Sequence, residues 1–103
     1  MEKRIGTITV LLSDRAAAAQ VNEVISAHSG IVLARQGLPF HDRPVAVISL
    51  IVEGEVDEIN SLSGQLGKIQ DVTAKAVLTK FIIQNSKFII KYAIQSRKMS
   101  YSR

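Results

Sequence analysis

Val45-Ala46-Val47-Ile48-Ser49-Leu50-Ile51-Val52 decides the fold. In an extended chain alternate side chains point to opposite faces. Val45, Val47 and Ile51 therefore share one face, and Ala46, Ile48, Leu50 and Val52 share the other, with Ser49 the one polar member. A strand apolar on both faces belongs in the interior of a sheet. Working back from it, Phe40-His41-Asp42-Arg43-Pro44 reads as a connecting turn and Ile31 to Leu38 as a strand. Gly37 and Pro39 mark that strand as an edge or a bulged one, because proline cannot donate to a ladder.

Further upstream, Ala16 to Ala19 favour a helix, with Ala17, Ala18, Val21, Val24 and Ile25 recurring at helical spacing. Ser13 is expected to cap it, Asp14 to complement its positive start, and Ser29-Gly30 to stop it. Ile8, Val10 and Leu12 alternate with Thr7, Thr9 and Leu11, which predicts an opening strand. Working forward, Glu53-Gly54-Glu55 turns the chain into a second helix with Val56, Ile59, Leu62 and Leu66 as its buried stripe, acidic Glu55, Asp57 and Glu58 at its start, and Gly67 as its stop. Val72, Ala74, Ala76 and Leu78 then alternate with Thr73, Lys75, Val77 and Thr79 as a closing strand.

The order strand, helix, strand, strand, helix, strand predicts an α+β ferredoxin-like βαββαβ sandwich. Its antiparallel sheet has the strand order 4-1-3-2, with both helices on one face. The other face is left open and carries Thr7, Thr9, Val47, Ser49, Ile51, Thr73 and Val77. A substantially apolar open face predicts a homo-oligomer, dimer or tetramer, that covers it or extends the second strand across a two-fold axis.

The 103 residues suit one domain over residues 1–79 with a C-terminal extension over residues 80–103. No apolar run approaches the roughly 20 residues of a bilayer span. Met1 to Arg4 lead directly into a strand pattern without the apolar stretch of a secretory signal, so the expected compartment is the cytoplasm. The net charge of +4 arises in the extension. Lys80, Lys87, Lys91, Arg97, Lys98 and Arg103 lie there with no acid among them, leaving residues 1–79 with seven bases against nine acids. A nucleic-acid footprint needs basic groups gathered on one face, so nucleic acid is not an expected partner. In the extension Lys80-Phe81-Ile82-Ile83 recurs as Lys87-Phe88-Ile89-Ile90, a seven-residue repeat compatible with a basic amphipathic helix. Three readings stay open: docking on a protein partner or an acidic membrane surface, packing across a sister subunit, and an extension without a tuned role.

Candidate chemistry is sparse. The chain has no cysteine, which removes disulfides, thiolate metal ligands and cysteine nucleophiles. His28 and His41 are its two histidines, too few for a metal site of three or four protein ligands, so no metal or other cofactor is expected. Ser, His and Asp occur without positional logic for a triad, and no G-x-S-x-G elbow is present, so no catalysis is expected. Arg35 is a candidate for gripping a carboxylate or phosphate through its planar fork, or for a salt bridge at an oligomer seam.

Arg35-Gln36-Gly37-Leu38-Pro39 before a hydrophobic strand, and Leu62-Ser63-Gly64-Gln65-Leu66-Gly67-Lys68-Ile69 before a strand ending Val72-Thr73-Ala74-Lys75, resemble the iron-only hydrogenase system regulator family. The resemblance covers about residues 3–79. It implies an ACT-like module, similar also to the ligand domain of nickel-responsive regulators, that binds or signals rather than catalyses. It implies effector contacts at Ser13, Asp14 and Arg15, where the first strand meets the first helix beside a neighbouring subunit, and places Arg35 and Gly37 on the second strand. Gly64 and Gly67 are expected to permit close backbone approach or simply to end the helix. The resulting expectation is a ligand-sensing, oligomeric regulator. The alternative is a non-catalytic adaptor that recruits a protein partner through its sheet edge and its extension.

Overall fold

The computed structural model describes residues 3–80, so the extension lies outside the described residues from position 81 on. The alternating stretches form four strands: β1 (Arg4–Leu12), β2 (Val32–Pro39), β3 (Ala46–Gly54) and β4 (Val72–Leu78). Two helices, α1 (Ala18–Ala27) and α2 (Val56–Gly67), join β1 to β2 and β3 to β4. All neighbouring strands pair antiparallel in the order β2-β3-β1-β4, which is the expected 4-1-3-2 read from the opposite edge. The fold is a ferredoxin-like α+β sandwich.

Period-two and helical patterning meet in one core. Ile8, Val10 and Leu12 of β1 and Ile48, Leu50 and Val52 of β3 face Val21 and Ile25 of α1 and Ile59, Leu62 and Leu66 of α2. Each fully buried side chain of this kind stabilises the fold by about 1.5–3 kcal/mol. Among the described residues no buried side chain is polar or charged, so hydrophobic burial carries this layer.

The helix ends differ from the sequence reading. Ser13 does not cap α1; its N–H and its hydroxyl both donate to the Asp71 carbonyl, at 2.9 and 3.2 Å. Asp14 takes the capping role, its Oδ1 accepting from Ala16 N–H at 2.9 Å over a short 3-10 turn, Arg15–Ala17, that precedes α1. The chain leaves α1 through a second 3-10 turn, Ser29–Ile31, so Gly30 is not a left-handed stop. Gly67 is the last residue of α2 and also has negative φ; Asp71 adopts the left-handed conformation instead, at φ 67°. α2 starts as its acids suggest, with Glu58 Oε1 accepting from Glu55 N–H at 2.9 Å.

Close backbone approach is needed at Gly6 and Gly54 rather than at Gly64 or Gly67. A Cβ on Gly6 would lie 2.7 Å from the Val77 carbonyl oxygen, and one on Gly54 2.9 Å from Ile31 Cγ2. Gly64 and Gly67 have open space around the same position.

β2 is an edge strand, as Pro39 suggests, but its irregularity sits elsewhere. Gly37 and Pro39 are in register with Ile48 and Ala46, whereas the register shifts between Val32 and Ala34. Leu33 is thus an extra residue, and a single extra residue reverses the facing of everything after it. Ala34, Gln36 and Leu38 join the open face; Arg35, Gly37 and Pro39 turn to the helix side.

The two kinds of glycine predict opposite outcomes. Gly6→Ala forces β1 and β4 apart and should cost about 1–3 kcal/mol. Gly64→Ala, on the exposed face of α2, should stabilise by up to about 1 kcal/mol through helix propensity. Thermal unfolding checks both: at this size 1 kcal/mol moves the midpoint by about 4–8 °C.

Candidate functional site

Cross-strand register arranges the open face in three rows. Val77, Thr7, Ile51 and Ala34 form the first; Lys75, Thr9, Ser49 and Gln36 the second; Thr73, Leu11, Val47 and Leu38 the third. Thr7, Thr9, Val47, Ser49, Ile51, Thr73 and Val77 are therefore brought together on one surface. The outer rows are mainly apolar and the middle row is polar. Val77 is 69% exposed, Leu11 45% and Ile51 44%. These large apolar groups are exposed in the two outer rows of one surface. Leu11 belongs to it by simple alternation, although the sequence reading left it out of the surface. Ala34, Gln36 and Leu38 were hidden by the bulge at Leu33. At the β2 side, Ala34, Arg35, Gln36, Ser49 and Ile51 line a depression of about 260 Å³.

The second candidate lies at the end of the sheet where β1 finishes. Backbone hydrogen bonds join the Ser13–Arg15 turn to its neighbours: Arg15 N–H donates to the Pro44 carbonyl at 3.0 Å and Ser13 N–H to the Asp71 carbonyl at 2.9 Å. The β2–β3 loop beside it holds Arg43 over the Phe40 ring at 4.7 Å, with Arg43 Nε 3.2 Å from Asp42 Oδ1. These charges are exposed and of both signs.

Arg35 is not part of that cluster and does not point into the open face. Its Nη2 donates to Asn22 Oδ1 of α1 at 2.9 Å on the helix side. It pairs with Leu50, four positions along β3 from Ala46 at the sheet end, which is about 13 Å. The structure thus separates Arg35 from Ser13, Asp14 and Arg15. Gly37 lies between them on β2, packed no closer than 3.8 Å to Ile48 Cγ1 at the position a Cβ would take.

His28 ends α1, its Nδ1–H donating to the Val24 carbonyl at 2.8 Å, and lines a hollow of about 220 Å³ with Ala27, Gly30, Ile31 and Glu58. His41 sits in the loop at the other end of β2. The eight residues of β2, about 26 Å of extended chain, lie between the two histidines along the chain. Among the described residues no three His, Cys, Asp or Glu gather as a metal site, and no helix is long and apolar enough to cross a membrane.

The profile of the TM1266-like family, described as "Iron-only hydrogenase system regulator, putative", matches residues 4–76. The chain belongs to this family. A solved family structure, an uncharacterized protein from Thermotoga maritima, is 39% identical, with a TM-score of 0.73, and the match covers 77% of this chain and all of that one. The ACT domain of GTP pyrophosphokinase from Chlorobium tepidum superposes with a TM-score of 0.53 at 16% identity, over 82% of this chain and 94% of that domain. A formyltetrahydrofolate deformylase from Pseudomonas syringae gives 0.55 at 9% identity, over 76% of this chain and 28% of the enzyme. The last two likenesses are of fold alone. No curated protein matches the chain. Family membership and fold agree with the regulator resemblance carried by Arg35 to Pro39 and Leu62 to Ile69.

The capping assignment has a direct check. Asp14→Ala removes the acceptor for Ala16 N–H and should cost about 1 kcal/mol, whereas Arg35→Ala loses one exposed hydrogen bond and should cost less than about 1 kcal/mol. Urea unfolding of the two variants against the parent measures both. Arg35→Ala is therefore usable as a binding probe in a folded protein.

Proposed function

We propose that this chain is a non-catalytic regulatory module that works in the cytoplasm as a homo-oligomer, a dimer or tetramer, with its open sheet face as the subunit contact. A small effector bound beside that contact alters how the subunits meet. The observation that carries the reading is the open face: Leu11, Ile51 and Val77 stay exposed on a sheet whose opposite side packs the buried core against both helices. Membership of a regulator family supports a signalling role over a catalytic one.

The effector contacts are assigned to Ser13, Asp14 and Arg15 at the sheet end and to Arg35 and Gly37 on β2, all of them exposed. Since about 13 Å separates Arg35 from the sheet end, a compact effector engages one group or the other. An anionic effector suits both, through Arg15 or through the guanidinium of Arg35. The exposed β2 edge, with Leu33 and Leu38 each 59% exposed, favours a second reading. In it the chain is an adaptor that recruits a protein partner by adding a strand to that edge.

Two measurements test the proposal. Light scattering across a dilution series should give a multiple of the 11.3 kDa chain mass, and Val77→Asp should shift it toward the monomer; a parent that stays monomeric at every concentration overturns the oligomer. Thermal shifts against a panel of anionic metabolites should identify a stabilising compound whose effect is lost in Arg15→Ala or in Arg35→Ala. A stabilising compound whose shift survives both substitutions overturns the site assignment.

A further inference from the structure

The three rows of the open face carry more than a contact. Read along the strands they run apolar, polar, apolar, so a second copy can lay apolar rows on apolar rows under either in-plane two-fold axis. A two-fold contact places one patch on a copy of itself, so a self-complementary pattern suits it. Aligned sheet packing keeps the strands of the two sheets within about 30° and leaves two in-plane choices for the axis.

With the axis perpendicular to the strands, each strand faces its own copy and Lys75 of one chain lies over Lys75 of the other. Two ammonium groups then face each other in a seam that water leaves. With the axis parallel to the strands, β4 faces β2 and β1 faces β3. Lys75 then lies over Gln36, whose amide oxygen accepts from the ammonium. Leu11 falls on Val47, Thr9 on Ser49, and Thr73 on Leu38, so apolar rows meet apolar rows and the polar row meets itself.

We propose that two copies of this chain pack open face to open face about a two-fold axis parallel to the strands and midway between β1 and β3, pairing Lys75 of each copy with Gln36 of the other. The three rows contain one cation and no carboxylate. Residues 81–103, which carry five bases and no acid, are for that reason a poorer occupant than a second copy. The inference rests on the open face being the subunit contact and adds its symmetry.

The chain has no cysteine, so single substitutions give one thiol each. Lys75 and Gln36 lie at opposite ends of their row, three strand spacings or about 14 Å apart. In the proposed dimer Cα75 sits about 10 Å from Cα36 of the other copy, while the two copies of residue 75 are about 17 Å apart. Full-length Lys75→Cys and Gln36→Cys chains are equilibrated together, treated with a short thiol-specific cross-linker and run on a denaturing gel. The mixture should give a covalent dimer and each variant alone little of it. Val77→Cys mixed with Ala34→Cys should behave alike and guards against a poorly folded first pair. Self-linkage of Lys75→Cys equal to that of the mixture, or no linkage in either mixture, overturns the proposed axis. Light scattering on the untreated samples separates the two failures. A dimer mass with the wrong linkage overturns the axis alone, and a monomer mass overturns the subunit contact as well.

Discussion

Burial of the helix-side face of β3 is the interaction on which the structure depends. Leu50 and Val52 are fully inaccessible and Ile48 nearly so, in one core cluster with Val21 and Ile25 of α1 and Ile59, Leu62 and Leu66 of α2. β3 lies between β1 and the edge strand β2, so its burial fixes the register of both neighbours. The same strand also presents Val47 and Ile51 to the side that has no helices. A two-layer sandwich of this size can cover one face of its sheet, and the sequence nonetheless places apolar groups on the second. The open face is thus a consequence of the core strand rather than a separate feature, and the proposed subunit contact follows from it.

Much of this was legible in the residue order, because hydrophobic burial writes itself as periodicity. The alternation of Ile8, Val10 and Leu12, the double-sided run from Val45 to Val52, and the stripe of Ile59, Leu62 and Leu66 translate directly into strands, sheet centre and helix face. Six elements in that order leave few topologies, and the observed strand order is the expected one. The family resemblance rested on segments that lie at β2 and at the end of α2, and the family match spans the same domain.

What was not legible turns on single-residue events that leave no periodic trace. Ser13 and Asp14 are adjacent and both cap helices well, so composition does not choose between them; the Asp71 carbonyl does, by occupying the Ser13 hydroxyl. A glycine near a helix end suggests a left-handed stop, yet Asp71 takes that conformation and Gly67 continues the helix. The extra residue at Leu33 has the largest effect on the candidate site. Counting evenly from Val32 puts Arg35 on the open face, beside the seam where it was expected. With Leu33 bulged, Arg35 turns to Asn22 on α1, and Ala34, Gln36 and Leu38 take its place. The polar end of the middle row, Gln36, thus depends on that one insertion.

Solvent accessibility of the open-face methyl groups tests the central claim most directly. A soluble paramagnetic agent added to methyl-labelled protein broadens signals in proportion to their exposure. The account predicts that Leu11, Val47, Ile51 and Val77 are shielded at high protein concentration and become accessible together on dilution, while Leu33, outside the three rows, is broadened throughout. Full accessibility of those four residues at every concentration would contradict it, leaving the sandwich with a bare face and no subunit contact to regulate.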